Sequence, residues 1–153
     1  MIEQKKNSPP TVADCVAGLH QVAPGTIGDL LNFRVQEEDH AIGTCTLICS
    51  TAEWMRNSFG TLHGGMCATI LDQAMGFLAR SQIEGPGITP TLSMQVNYHK
   101  PLIPGEDVLV RMHVVSKTRH LITMNAEASQ LSKPERICLS ASATSFFSRP
   151  AEK

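Results

Sequence analysis

Residues 57–65, Asn-Ser-Phe-Gly-Thr-Leu-His-Gly-Gly, lead directly into an apolar run at 66–79 that contains a single acid, Asp72. The glycine pair after His63 allows backbone N–H groups to come close to a ligand. A helix that begins at this point would direct the positive end of its dipole at any developing negative charge. The stretch therefore contains the parts of an acyl-transfer site at the start of a buried helix.

The spacing between His63 and Asp72 limits how the two side chains can meet. If His63 stands at the start of the helix, Asp72 lies roughly 13 Å along the axis and about half a turn around it. One chain cannot easily bring them together. Either the two residues work separately, or two copies of the chain face each other so that His63 of one copy approaches Asp72 of the other.

Length and charge place the chain among ordinary globular domains. Its 153 residues are enough for one domain with a sizeable core. Thirteen basic residues against fourteen acidic ones give a formal charge of -1. Because no run of Lys or Arg resembles a nucleic-acid footprint, nucleic acid is not expected as a partner.

The amino-terminal residues and the cysteines bear on compartment and cofactors. The first ten residues are polar and lack an apolar signal core, and no later apolar stretch is long enough to span a bilayer, so we expect a cytoplasmic protein without a membrane partner. The five cysteines are odd in number and include no C-x-x-C pair, which favours reduced thiols. Cys45 and Cys49 could share one face of a strand, but no matched His or Cys pair indicates a metal site. No dinucleotide fingerprint is present, so no cofactor is expected.

Hydrophobic periodicity predicts the order of the elements. The helix at 66–80 is apolar almost all round, which is typical of a helix buried on most sides. From Thr91 the period changes to two, and this strand should have one core face and one polar face. The other expected elements are a short helix at 14–22, a hairpin of strands 30–37 and 42–50 around an acidic turn at 38–40, a loop at 54–61, and strands at 108–116, 120–130 and 136–147. This order predicts an α+β fold in which an antiparallel sheet wraps around one long helix.

Three groups of residues carry a resemblance to a known family. They are Asn57-x-x-Gly60-x-x-His63-Gly64-Gly65, then Asp72 within the buried helix, then Asn97-Tyr98-x-x-Pro101 after a strand. This pattern closely resembles the PaaI-type hotdog-fold acyl-CoA thioesterases over residues 28–148. The resemblance leaves residues 1–27 as an amino-terminal extension and 149–153 as a tail. It implies hydrolysis of an acyl-CoA substrate in a homodimer, often a homotetramer, with each active site built across the dimer interface.

The resemblance also implies roles for three side chains. Asp72 matches the family's catalytic carboxylate, which acts as general base on water or as nucleophile; a carboxylate in an apolar helix is costly unless it is paired or used. Otherwise it is a structural acid bonded to a neighbouring strand or subunit. His63 matches a histidine that orders the loop and the thioester, or it only bonds loop backbone. Asn57 matches an asparagine that holds water or the substrate carbonyl, or it only caps its own loop.

Backbone groups and a hydroxyl complete the expected chemistry. The resemblance favours the N–H of Gly64 as the donor that stabilises the oxyanion, with Gly65 close to the substrate, although both glycines could equally serve tight packing. Thr91 falls where the family often has a hydroxyl that positions water near the carboxylate. Because the preceding loop could shift the register, Thr89 and Ser93 are alternatives.

A cationic pair in a turn between strands is the candidate for the coenzyme A end. Lys117 and Arg119 could contact phosphates there, or they could be ordinary surface charges. Two other functions remain open on the same fold. One is a non-catalytic acyl-CoA-binding protein, and the other is an acyl-thioester hydratase or dehydratase.

Overall fold

A computed structural model describes residues 8–147, so the expected tail at 149–153 lies outside the described residues. Within that range the strands form one antiparallel sheet in the order β1-β2-β4-β5-β6-β3. The elements are α1 Val12–Val22, α2 Ile27–Leu30, β1 Arg34–Asp39, β2 Thr44–Cys49, a 3₁₀ helix Glu53–Met55, α3 Gly64–Ser81, β3 Thr91–Tyr98, β4 Val108–Lys117, β5 Leu121–Gln130 and β6 Leu139–Phe146. The expectation of an antiparallel sheet around one long helix is confirmed.

Helix α3 packs on the face of the sheet where the middle strands carry small side chains. Buried alanines occupy alternate positions of β5 and β6, while the polar residues between them face the other side. These alanines are Ala126, Ala128, Ala141 and Ala143. Small side chains let the helix approach closely, and α3 fills the space with large ones such as Leu71, Met75 and Leu78, all buried. The core therefore lies between α3 and the sheet.

Helix α3 is buried on most sides, as expected, but one stripe of it stays open. Asp72 is exposed, and Met66, Gln73 and Gly76 are only partly buried. The sheet covers one broad face of the helix and α1 covers another, so the remaining stripe is less covered, although Asp72 bonds Thr91 and Gln73 lies beside Gly28. The periodicity could not reveal this gap, because Met and Gly fit an open face and a buried face equally well.

The amino-terminal part of the sheet also differs from the expectation. The strand expected at 30–37 begins later, because Ile27–Leu30 form helix α2 and Asn32 takes a left-handed φ of 46° that redirects the chain. The acidic segment expected to turn is part of β1 through Asp39. The turn follows it, where the carboxylate of Asp39 accepts the N–H groups of Ala41 and Ile42. Acidic residues were compatible with this strand because β1 lies at an exposed sheet edge.

Strand β3 begins at Thr91 as predicted but lacks a fully buried face. Met94 and Val96 are partly buried, whereas Leu92 and Tyr98 are 61% and 55% exposed. The strand is the other edge of the sheet and, among the strands of residues 8–147, pairs only with β6. Its apolar face therefore lies beside the open stripe of α3 without complete cover.

Helix α1 is longer than the helix expected at 14–22 and packs against α3 and β1. Thr11 and Asp14 form a capping box, in which each side chain accepts the backbone N–H of the other residue at 3.0 Å. Val12 and Val16 are buried in the common core. The domain boundary between residues 27 and 28 stays a prediction. Across residues 8–147, no helix combines the length and apolarity needed to cross a membrane.

Candidate functional site

The start of α3 carries three of the predicted site residues. His63 is the N-cap of the helix, and Gly64 is its first helical residue. Gly64 lines a small cavity of about 310 Å³ together with Asn57, Tyr98 and Lys100. The loop before the helix is held in place by backbone bonds from His63 to Met55 and from Leu62 to Leu102.

The hydrogen bonds of His63 separate the roles of the two glycines. Its Nδ1 accepts the N–H of Gly65 at 2.9 Å, so this ring nitrogen is unprotonated and Nε2 carries the hydrogen. The Gly65 N–H is therefore already occupied, because the side chain of His63 caps it. Within residues 8–147 the N–H of Gly64 has no acceptor, as is usual for the first turn of a helix. Within the same residues, the donors without an acceptor at this helix end are the N–H groups of Gly64 and Met66, beside the exposed imidazole of His63.

Asn57 organises the loop in which it lies. Its Oδ1 accepts the N–H groups of Phe59 and Thr61 at 2.9 and 3.1 Å, and its Nδ2 donates to the hydroxyl of Thr61 at 2.9 Å. Gly60, with φ of 85°, closes the turn by donating to the Asn57 carbonyl. These contacts support the interpretation that Asn57 caps its own loop. An amide has two donor hydrogens, so one remains for a water or a carbonyl.

Tyr98 is a residue of this site whose role sequence reasoning missed. Its hydroxyl donates to the carbonyl of Gly64 at 2.8 Å and ties the start of α3 to the end of β3. The sequence signal was its place beside Asn97 in the motif that follows the strand. Nothing in that motif indicated which backbone atom the hydroxyl would reach.

Asp72 and Thr91 form the second half of the candidate site. The hydroxyl of Thr91 donates to Oδ1 of Asp72 at 2.7 Å, across the gap between α3 and the start of β3. This contact selects Thr91 over Thr89 and Ser93, which the sequence left as alternatives. Asp72 is exposed, so its carboxylate can also accept a hydrogen bond from water.

The two halves do not meet within one subunit. His63 and Asp72 lie on the same straight helix, roughly 13 Å apart along its axis. Gly64, the residue after His63, lines the smaller cavity, whereas Asp72 and Thr91 border a different cleft of about 680 Å³. The structure thus retains the separation that the spacing indicated.

Lys117 and Arg119 have different surroundings. Lys117 is the last residue of β4, and its ammonium donates to the backbone carbonyl of Gln82 at the carboxyl end of α3. A cation is favoured there because that end of the helix dipole is negative. Arg119 is exposed in the turn between β4 and β5. A role for either residue in phosphate binding stays a prediction.

Cysteine and metal chemistry find little support near this site. Burial raises the pKa of the Cys67 thiol, one turn into α3, to about 11, so it is protonated near neutral pH and a weak nucleophile. In the part of the chain that the structure describes, no three His, Cys, Asp or Glu side chains are grouped to hold a metal ion. The groups available for chemistry are a carboxylate, an imidazole and backbone N–H donors.

Comparisons with known proteins agree with this architecture. Proteins named acyl-coenzyme A thioesterase 13 from Homo sapiens and Pongo abelii are each 34% identical over 67 residues, 42% of this chain. The match covers 46% of those relatives, so the chain spans about half of their length. The solved thioesterase family protein of Silicibacter pomeroyi has a TM-score of 0.74 at 26% identity, covering 89% of this chain and 97% of that one.

The Escherichia coli PaaI protein from the phenylacetic acid degradation operon superposes equally well. Its TM-score is 0.74 at 12% identity, over 90% of this chain and 94% of that one. The hotdog fold and the resemblance expected from the sequence are therefore confirmed. A family model described as the thioesterase superfamily matches residues 59–137, just over half of the chain. The chain belongs to the thioesterase superfamily.

Proposed function

We propose that this protein hydrolyses an acyl-CoA thioester to a carboxylic acid and free coenzyme A. The observation that carries the proposal is the Asp72–Thr91 hydrogen bond of 2.7 Å on the open stripe of α3. It leaves an accessible carboxylate that is oriented by a hydroxyl and that, among residues 8–147, forms no ion pair with a cation. The names of the curated relatives support the acyl-CoA class of substrate.

The proposed reaction uses water as the nucleophile. The carboxylate of Asp72 takes a proton from water as the water oxygen attacks the thioester carbonyl carbon. The carbonyl electrons move to the oxygen, where a backbone N–H at the start of α3 stabilises them. The tetrahedral intermediate then collapses and the carbon–sulfur bond breaks. Coenzyme A leaves as a thiolate that takes the proton held by Asp72, directly or through solvent, which restores the carboxylate.

The oxyanion donors would come from a second copy of the chain. Gly64 and Asp72 of one subunit are too far apart to act on one carbonyl, whereas two copies related by a twofold axis would supply both. Edge strand β3 supports this arrangement because no strand of the described residues 8–147 pairs with its outer edge, and it carries neither Lys nor Pro to block pairing. Exposed Leu92 and Tyr98 flank the same edge. A homodimer is the proposed active unit, and a homotetramer would be two such dimers.

The substrate class is tested by a panel of acyl-CoAs with thiol release as the readout. Turnover of any acyl-CoA that depends on Asp72 supports hydrolysis. Binding without turnover would identify the non-catalytic acyl-CoA-binding alternative. Addition of water across an enoyl-CoA without thiol release would identify a hydratase.

Mixing two inactive variants tests the shared active site. We expect co-refolded Asp72→Asn and His63→Ala proteins to regain about a quarter of wild-type activity, because half of the dimers are mixed and each has one intact site of two. Light scattering gives the oligomeric state of the same samples. No recovery in verified mixed dimers, or an active monomer, would contradict the shared site.

Lys117 and Arg119 are expected to affect only the substrate that carries the nucleotide. The double variant Lys117→Ala/Arg119→Ala should raise KM for a full acyl-CoA and scarcely change it for the pantetheine-truncated thioester, since exposed charge-assisted contacts are modest and weaken with salt. The single variants separate structure from binding. Lys117→Ala should also lower the melting temperature, because the ammonium caps α3. Equal effects on both substrates would leave these residues as ordinary surface charges.

A further inference from the structure

The peptide unit that joins Gly64 to Gly65 is held at both of its polar ends. Its carbonyl accepts the hydroxyl of Tyr98 at 2.8 Å, and its N–H donates to Nδ1 of His63 at 2.9 Å. A peptide unit is planar, so its carbonyl and its N–H cannot turn independently. Tyr98, this peptide and His63 therefore form one continuous hydrogen-bonded chain across the start of α3.

Glycine on both sides makes this peptide easy to rotate unless other groups hold it. Neither Gly64 nor Gly65 has a Cβ that would restrict its backbone. The peptide also lies in the first turn of α3, where N–H groups lack helical acceptors. The contacts from Tyr98 and His63 thus add restraint at the point where the helix itself supplies least.

The backbone at Gly65 is matched to the imidazole of His63. A Cβ at Gly65 would lie 3.2 Å from Nδ1 and 3.4 Å from Cε1 of that ring. Both distances are shorter than an optimal contact of about 3.5–4.0 Å. Gly65 does not have a positive φ, so its backbone conformation does not call for glycine. Space for the ring is the property that glycine provides here.

The acceptor role of Nδ1 determines which hydrogen His63 can offer to a substrate. A neutral imidazole has one N–H and one acceptor nitrogen, so an Nδ1 that accepts from Gly65 places the hydrogen on Nε2. In the other tautomer two N–H groups would face each other, and the contact would be lost. The exposed ring of His63 therefore presents a hydrogen-bond donor.

We propose that Tyr98 is a positioning residue, which acts through this peptide to hold His63 as an Nε2–H donor for the thioester. The role rests on the proposed hydrolysis and specifies what keeps the start of α3 ready for the substrate. Tyr98 suits the role because its backbone is fixed in the sheet, where it pairs with Leu139 of β6. Its side chain is 55% exposed, so the hydroxyl contact, rather than burial in the core, distinguishes this residue.

Nitrogen NMR of isotope-labelled histidine rings tests the chain of contacts in the protein without substrate. The two ring nitrogens have well-separated shifts in a single tautomer, and these shifts converge when the tautomers interchange. The His63 signals are assigned by their absence from His63→Ala. Tyr98→Phe removes only the hydroxyl and should bring the two His63 shifts closer together. Amide exchange at Gly65 should become about three- to tenfold faster. Unchanged His63 shifts would overturn the proposal.

The amide of Cys67 distinguishes positioning from a general loosening of the helix end. Its N–H donates to the carbonyl of His63 at 3.0 Å and takes no part in the chain of contacts from Tyr98. Exchange at Cys67 should therefore be the same in Tyr98→Phe as in wild type. Equal acceleration at Gly65 and Cys67 would mean that the first turn of α3 unravels, which would overturn the positioning role.

Steady-state kinetics with the best acyl-CoA give the functional result. Tyr98→Phe should lower kcat about three- to tenfold, the effect of one hydrogen bond, and change KM less than about twofold. Ser142→Ala removes an exposed hydroxyl from the other face of the sheet and should change neither the kinetics nor the His63 shifts. An unchanged kcat in Tyr98→Phe overturns the role. If the wild-type protein hydrolyses no acyl-CoA, the proposed function fails by itself, and the NMR result alone decides whether Tyr98 positions His63.

Gly65→Ala tests the same chain of contacts from its other end. The added carbon should displace the imidazole of His63 while the hydroxyl of Tyr98 stays in place. Alanine favours a helix more than glycine does, so the fold should be retained, as the melting temperature will show. The His63 shifts should change and kcat should fall, as in Tyr98→Phe. Wild-type His63 shifts in Gly65→Ala would mean that the ring is not held against this peptide, and the proposal would be wrong.

Discussion

Asp72→Asn is expected to lower kcat by about 10²-fold or more, the range for removal of a general base. The replacement is nearly isosteric, and its amide oxygen can still accept the hydrogen bond from Thr91. Asp72 is exposed in the subunit, so no buried ion pair is broken. The change therefore removes the base while retaining the fold, and steady-state kinetics with the best acyl-CoA measure it beside the melting temperature.

Two variants make the Asp72 result specific. Thr91→Ala should lose less activity, because it removes the group that orients the carboxylate and leaves the base. Glu127→Gln changes an exposed carboxylate on the other face of the sheet and should leave kcat unchanged. An Asp72→Asn protein with near wild-type turnover would place the base elsewhere and make Asp72 a structural acid.

Gly64→Pro is expected to lower kcat by about 10²- to 10³-fold, since it deletes the backbone N–H assigned to the oxyanion and one such donor contributes roughly 3 kcal/mol. Proline is well tolerated at the first position of a helix, where the N–H has no helical acceptor. The preceding residue, His63, already has the extended conformation that proline requires, with φ of -61° and ψ of 136°. KM should change little if the donor acts mainly in the transition state.

The matched control is Gly64→Ala, which adds a side-chain carbon and keeps the N–H. That carbon would lie 3.6 Å from the ring of Tyr98, an ordinary contact. Kinetics and circular dichroism on both variants therefore separate the hydrogen bond from the added bulk. Equal activity losses in the two proteins would mean that crowding at Tyr98, rather than loss of the donor, explains the effect.

The long helix and the strands after Thr91 could be predicted from the sequence because their periodicity is strong over many residues. Element ends were less accurate where local contacts decide them. The short helix Ile27–Leu30 and the turn after Asp39 depend on single side chains and on the φ of Asn32. The open stripe of α3 was missed because periodicity reports which residues are apolar, and burial also depends on what lies opposite.

The sequence by itself determined the fold class, the residue types of the candidate site, and the distance that keeps His63 from Asp72. All three follow from local pattern and helix geometry, which a single chain contains. Only the tertiary structure decided which hydroxyl meets the carboxylate, because Thr89, Thr91 and Ser93 differ by the register of one loop. It also decided that the side chain of His63 caps the N–H of Gly65, and that α1 and α3 enclose a cleft. No spacing in the sequence specifies either of these contacts.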